Sequence, residues 1–393
     1  LLLDAIVEGA LDRAPIVMGG LGQTLPRPTK LRHLTLQSVD NVLQLLARAS
    51  VRHRPTFLGG SRGNPQITPA LRVGSRYHSG SGTLPVFSGG SWSKLPGDRS
   101  MCAMKGHGRP ELLADPGWLW EHRDDPNVRV VDCATSDAYE RAHIPGAVRI
   151  PGHPWLKTEP DPFSHLNEPL HVIGPDEFAS AMGEIGVSND TTVVAYASEG
   201  HHWATRLWWV LAYYGHRNAK VLDGGFHRWL IEGRPISDAV PEVSALSFVP
   251  RPDESQIVRL DELLARYDEP GVQVVNALGP DFYTGRSDPF GNQRVGHIPG
   301  SINLPLTELL TNEEPRVLKS AVDLAALAAR AGLSPDRETI VHCQAGIATT
   351  LDVFALTLLG WDRVRCYDAA MGEWANRDDT PLVVGEGIPA QAI

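Results

Sequence analysis

His143-Ile144-Pro145-Gly146-Ala147-Val148 returns 154 positions later as His297-Ile298-Pro299-Gly300-Ser301-Ile302. Two more echoes follow in the same order. Thr192-Val193-Val194 reappears as Thr339-Ile340-Val341, 147 positions on. Gly215-His216 and Leu222-Asp223 reappear as Gly360-Trp361 and Tyr367-Asp368, 145 positions on. An offset this steady over three landmarks marks an internal duplication. A period near 150 residues has the size of a domain and is too long for a solenoid repeat.

Working outward from the first copy, short apolar β-branched runs alternate with helical patterns. Residues 127–132 and 191–196 read as buried strands, and 219–225 as a strand plus a turn. Residues 112–122, 136–141 and 175–185 read as helices, the last with Pro175 in its first turn. Residues 203–214 form an aromatic-rich helix that Gly215 stops, and 226–232 form a short one before Gly233. Strand–helix alternation in both copies predicts the α/β class. Each copy is expected to be a parallel sheet flanked by helices. The Pro- and Ser-rich stretch over 234–252 separates them.

In the second copy the strand Thr339-Ile340-Val341-His342 ends on Cys343. The small-residue loop Gln344-Ala345-Gly346-Ile347-Ala348-Thr349 follows, and then an apolar run. Apolar residues at 351, 353, 354, 356, 358 and 359 cover about half of a helix surface and predict a largely buried helix. A cysteine between a strand end and a helix start faces unpaired backbone N–H groups and the positive end of a helix dipole, a setting that favours the thiolate. Taken alone, such a residue reads equally as a buried thiol beside a turn. The first copy carries Ala197-Ser198-Glu199-Gly200-His201-His202 at this place, with no thiol.

Composition narrows the functional classes. Four cysteines at irregular spacing form neither a disulfide framework nor a zinc pattern and fit a reducing compartment. No run of 18 apolar residues occurs, so no membrane span is expected. Residues 1–100 carry 12 Lys and Arg against 5 Asp and Glu. The rest carries 24 against 41, a net of −17, which gives nucleic acid no broad basic surface. The stretch 50–100 is rich in Arg, Gly, Ser and Pro without a sustained period, which predicts a poorly structured N-terminal extension. Three readings stand for it: an organelle-targeting leader, translated upstream sequence ahead of a start at Met101 or Met104, or a basic nucleic-acid tail. Asp4, Glu8 and Asp12 fit a leader poorly.

With these residues in hand the chain resembles the tandem-domain rhodanese family of thiosulfate and 3-mercaptopyruvate sulfurtransferases, over roughly residues 110–385. The carriers are the doubled His-Ile-Pro-Gly turn, the strand–loop–helix segments, Ser188-Asn189-Asp190-Thr191, Arg206-Leu207-Trp208-Trp209, Asp223-Gly224-Gly225-Phe226 with Trp229, and Gly372-Glu373-Trp374. Composition sets apart an N-terminal extension over 1–105, and the resemblance implies an inactive rhodanese-like domain over 106–238, a linker over 239–255 and a catalytic rhodanese-like domain over 256–393. It implies that Cys343 takes a sulfane sulfur from a small anionic donor, becomes a persulfide, and hands the sulfur to cyanide or to a thiol, such as that of a thioredoxin-like protein. No metal and no organic cofactor are expected, and the cytoplasm is the expected compartment, with organelle targeting by residues 1–100 left open.

The backbone N–H groups of Gln344, Ala345, Gly346, Ile347, Ala348 and Thr349 are the expected donors to the sulfur anion. Arg206 is expected to reach across the domain interface to the donor. Asp132 and His143 are candidates for orienting the cleft, although His143 and His297 read equally as turn residues. Asn276 stands where the repeat has Asp132, which puts a structural hydrogen bond in question. A cysteine phosphatase would need an arginine six residues after its cysteine to grip phosphate, and Thr349 stands there. Thiosulfate-type loops carry Arg and Lys after the cysteine, whereas this loop has Gln344 and Ala345. Mercaptopyruvate-type chains carry a second arginine where this one has Ala212. The neutral loop leans towards mercaptopyruvate or another small organic donor. A persulfide carrier that delivers sulfur to a protein partner is the alternative reading.

Overall fold

The computed structural model describes residues 106–150, 156–157, 171–198 and 201–386. The readings of residues 1–105 lie outside the described residues, as do Glu199 and Gly200 of the first loop. The described residues fall within one compact unit, Ser91–Ile393.

The duplication is visible element by element. The first half runs β1 (Leu113–Ala114), α1 (Pro116–His122), β2 (Val128–Asp132), α2 (Ser136–Arg141), β3 (Val148–Arg149), α3 (Pro175–Glu184), β4 (Thr192–Tyr196), α4 (His201–Tyr213), β5 (Ala219–Leu222) and α5 (Gly225–Ile231). The second half repeats this order as β6 (Ile257–Val258), α6 (Leu260–Arg266), β7 (Val272–Asn276), α7 (Pro280–Tyr283), β8 (Ile302–Asn303), α8 (Ala321–Arg330), β9 (Glu338–His342), α9 (Thr349–Leu358), β10 (Val364–Tyr367) and α10 (Ala370–Trp374). Each half holds a parallel five-stranded sheet, ordered β1-β5-β4-β2-β3 and β6-β10-β9-β7-β8. Both sheets are parallel and flanked by helices.

Local chemistry sets the boundaries. Asp115 caps α1 by accepting from the Trp118 N–H at 2.8 Å, with Pro116 at the first helical position. Ser320 caps α8 by accepting from the Asp323 N–H at 3.2 Å. Gly332, at φ +82°, ends it with a backbone reversal that a side chain would strain. The sequence predicts helix over 112–122, and here the structure differs. Pro110–Leu112 is a 3-10 turn, and Leu113 and Ala114 are drawn into β1 by pairing with Val221 and Leu222. Edge pairing and burial of both residues override a weak local helix preference.

The central strands are apolar on both faces because helices cover both. In β4, Val193 and Ala195 join one apolar cluster, while Val194 and Tyr196 join another. The larger cluster continues from one half into the other. Its seam is α4 against α9. Trp208 meets Phe354 edge-on at 4.8 Å between centroids. Thr205 and Thr350, 145 positions apart, face each other with their hydroxyl oxygens 3.0 Å apart. A self-pairing of equivalent residues is what a duplicated unit docking on its own copy through the same face produces.

Candidate active site

Cys343 directly follows the last residue of β9, at the carboxyl ends of the central strands, where ligand crevices form in parallel α/β sheets. It is 2 % exposed. Its carbonyl accepts from the Met371 N–H at 3.1 Å, and the Gln344 carbonyl accepts from the Gly372 N–H at 2.7 Å. The loop base is thereby tied to the start of α10. The loop closes onto α9 through the Ile347 carbonyl, which accepts from the Thr350 N–H at 3.1 Å and the Thr350 hydroxyl at 2.7 Å.

Between these ties, the backbone N–H groups of Gln344, Ala345, Gly346, Ile347, Ala348 and Thr349 donate to no acceptor among the described residues. Consecutive unpaired N–H groups curled at a helix start form an anion-binding concavity. Gly346 makes the curl at φ +69°. A Cβ there would lie 2.2 Å from Asp368 Oδ1 and 2.4 Å from the Asp368 carbonyl oxygen, so only glycine fits. Asp352, in the first turn of α9, is fully buried, and burial pushes its carboxyl well above the usual range. Burial thus favours its neutral form, which does not oppose an anion at this helix start. The hydroxyl of Thr349 is buried with no hydrogen-bond partner.

The side chain of Gln344 does not enter the concavity. Its amide pairs in both directions with the amide of Asn292, at 3.1 and 3.0 Å, and Asn376 also donates to Asn292 at 2.9 Å. The glutamine is thus a tie between the loop and the segment before the second His-Ile-Pro-Gly turn.

Arg206 lies in α4 and is fully buried. Its guanidinium crosses into the second half, donating to Asp368 Oδ1 at 2.7 Å and to the Gly346 carbonyl at 3.2 Å. Lys157 also belongs to the first half. It donates to Asp368 Oδ1 at 2.8 Å and to the Asp368 carbonyl at 3.1 Å. Burial alone would raise the Asp368 carboxyl, but Arg206 and Lys157 hold it below the usual carboxylate range. Burial, opposed by Asp368, brings the Lys157 ammonium down to about 8. Lys157 was not singled out in the sequence because no local pattern marks a lysine that finds its carboxylate 211 residues away. Asp368 was legible only as a landmark of the repeat.

Asp132 and His143 lie in the first half. Asp132 Oδ1 accepts from the Ala134 N–H at 2.8 Å, and burial raises its carboxyl to about 6. Asn276 Oδ1 accepts from the Leu278 N–H at 2.9 Å, so the structural bond in question survives the exchange. His143 donates to the Tyr139 carbonyl at 2.8 Å and stacks on the Tyr139 ring. His297 does the same with Tyr283. Equivalent roles in both halves mark the pair as turn anchors. His342, beside the cysteine, is held neutral by burial, with its pKa lowered to about 4. Among the described residues no three His, Cys, Asp or Glu groups converge to hold a metal ion. No described helix is long and apolar enough to cross a membrane.

Comparison with known proteins agrees with the duplication. The Rhodanese-like domain family matches twice, at residues 115–232 and 259–377. The sulfur carrier protein TtuD of Thermus thermophilus is 33 % identical over 293 residues, covering 72 % of this chain and 99 % of its own length. A thiosulfate sulfurtransferase of Corynebacterium glutamicum is 33 % identical over 298 residues, covering 72 % and 94 %. The 3-mercaptopyruvate sulfurtransferase of Escherichia coli is 30 % identical over 276 residues, covering 67 % and 95 %. Among solved structures, the anaerobic ergothioneine biosynthesis enzyme of Chlorobium limicola superposes with a TM-score of 0.62 at 23 % identity, covering 71 % of each chain, which is a likeness of fold. Two rhodanese-like domains in tandem, with sulfurtransferases among relatives matched over nearly their whole length, place this chain in the rhodanese family of sulfurtransferases.

Proposed function

We propose that the chain moves a sulfane sulfur through a persulfide on Cys343. The second half, residues 256–393, carries the chemistry. The first half, residues 106–238, supports it across a linker over 239–255. The observation that carries this reading is the run of unpaired N–H groups from Gln344 to Thr349 beside the Cys343 thiol. A thiolate and a terminal persulfide are both sulfur anions, and the same cradle serves both.

In the first step the Cys343 thiolate attacks the outer sulfur of the donor. A new S–S bond forms, and the bond from that sulfur to the rest of the donor breaks. Its electron pair leaves as sulfite from thiosulfate or as the enolate of pyruvate from 3-mercaptopyruvate. In the second step cyanide or a thiolate, such as that of a thioredoxin-like protein, attacks the outer sulfur and restores the Cys343 thiolate. Two half-reactions on one group give ping-pong kinetics. The neutral side chains after the cysteine favour 3-mercaptopyruvate or another small organic donor over the thiosulfate dianion. A site that needs a free thiol suits the cytoplasm.

The test is to expose the full chain to each donor and read the mass of the Cys343 peptide. A gain of one sulfur with at least one donor, and none in Cys343→Ser, is expected. No gain with either donor would sink the reading. Similarity to a protein named as a sulfur carrier supports a second reading, in which the loaded chain waits for a protein acceptor. Loading with slow turnover on cyanide and small thiols would select it.

A further inference from the structure

We propose that Lys157 is a positioning residue for Cys343. Through Asp368 it fixes the curl of the cysteine loop from the opposite half of the molecule. The inference rests on the reading of Cys343 as the sulfur-bearing group and adds the device that shapes its cradle.

Gly346, at the centre of the loop, packs its bare α-carbon against two oxygens of Asp368, Oδ1 and the carbonyl. Lys157 Nζ donates to the same two oxygens, at 2.8 and 3.1 Å. Arg206 closes the figure from the other side by joining Oδ1 to the Gly346 carbonyl. The wall on which the loop curls is therefore held by two cations, and neither belongs to the half that carries the cysteine. All three side chains are at most 1 % exposed, so no water competes for these bonds. Removing Lys157 leaves the Asp368 carbonyl without this donor and leaves its carboxylate held by Arg206 from one side. The Gly346 peptide then loses its fixed bearing, and the unpaired N–H groups on both sides of it lose their common aim. Small misalignments of such donors are costly because their catalytic value depends on fixed direction.

A lysine near a thiol also acts by simple charge attraction, and the test must separate the two effects. Cys343 alkylation by iodoacetamide is followed against pH by peptide mass in the full chain. The other titratable groups around the site are His342 with His297 beyond it, Cys366, Arg206, Asp368 and Asp352 in the first turn of α9. Burial holds His342 neutral and pushes the Cys366 thiol up, so neither titrates where a free thiol does. Lys157→Met is expected to move the alkylation midpoint up by about one pH unit, a tenfold loss of thiolate at fixed pH. Asp368→Asn removes a negative charge and by attraction alone would move the midpoint down. Loss of positioning moves it up, as in Lys157→Met. Shifts of opposite sign in the two variants would overturn the proposal. So would a lower thermal midpoint with an unmoved alkylation profile. Lys157→Gln removes the charge but keeps a donor towards Asp368, so it is expected to shift the midpoint less than Lys157→Met. An equal shift would assign the effect to charge and overturn the proposal. Should Lys157→Met fail to fold, the sign of the Asp368→Asn shift decides alone. Alkylation needs no sulfur donor, so failure of sulfur loading in the unaltered chain would refute the sulfur-transfer reading and leave this result standing on its own.

Discussion

The loop after β4 and the loop after β9 are equivalent parts of the duplication, and they differ in what surrounds them. Ala197 and Cys343 occupy equivalent places. Each follows the last residue of its strand, and each carbonyl accepts a backbone N–H from the start of the helix after the next strand, Phe226 at 3.0 Å and Met371 at 3.1 Å. Beyond that point they diverge. In the first half α4 already starts at His201, whose Nε2 accepts from the Gly224 N–H at 3.0 Å and lies 3.7 Å from Asp223. The His201 side chain thus lies against the turn after β5, and Asp223 is also contacted by Arg228 of its own half and accepts the Leu318 N–H of the other half at 2.9 Å. In the second half α9 starts only at Thr349, the concavity is lined by backbone, and the matching acid, Asp368, takes its cations from the other half. The loop with the thiol thus curls at a bare glycine against an acid held by cations of the other half, and the loop without one sets a histidine beside its acid.

The strongest way to break this contrast is to put a side chain into the curl. Gly346→Ala forces a Cβ to within 2.2 Å of Asp368 Oδ1 at a φ of +69°. Backbone strain of about 1–3 kcal/mol adds to the clash. Sulfur loading is expected to fall by about a hundredfold or more, as for loss of an oxyanion donor, with a lower thermal midpoint. Loading near the unaltered rate would show that the curl is not needed.

A second test exchanges equivalent strand-end residues. Asp132 is 1 % exposed with its carboxyl raised to about 6, whereas Asn276 makes the same bond without a charge. A carboxyl whose folded pKa is raised loses stability as pH climbs from the unfolded value, about 4, to the folded one. Asp132→Asn should therefore stabilise the fold by up to roughly 3 kcal/mol above pH 6, since each pKa unit is worth about 1.4 kcal/mol. The gain should fade as pH drops towards 4. Thermal midpoints across pH read it directly, and a gain that does not depend on pH would contradict the assignment. If Asp132 only anchors the turn, sulfur loading in this variant stays unchanged.

The smallest effect concerns the turn after the last sheet strand. Gly225 and its counterpart Ala370 both sit at φ +54°. Alanine is strained there by about 1 kcal/mol, partly offset in Ala370→Gly by the greater freedom of unfolded glycine. Ala370→Gly is expected to raise stability by a few tenths of a kcal/mol up to about 1, measured by denaturant midpoint. A loss of stability would mean that the buried methyl of Ala370 contributes more packing than its backbone costs.

The sequence by itself determined the duplication, the α/β class and the contrast between a loop with a thiol and one without. These are local matters. A strand's burial on both faces, a helix stop at Gly215 and a small-residue loop after Cys343 are each written within a few consecutive residues. The sequence also carried the family, because its landmarks recur in order at domain spacing. Tertiary structure alone decided what surrounds the loop. Nothing near Gln344 in the chain announces that its amide turns away to Asn292, 52 positions off. Nothing near Arg206 or Lys157 shows that both converge on Asp368, 162 and 211 positions away. Ion pairs and amide pairs are short-ranged and indifferent to sequence separation, so they are fixed only when the two halves dock. Leu113 and Ala114 follow the same rule, becoming strand because Val221 and Leu222 lie beside them. The chain thus spells out where the loop thiol stands, and docking of the two halves sets the shape of the loop around it.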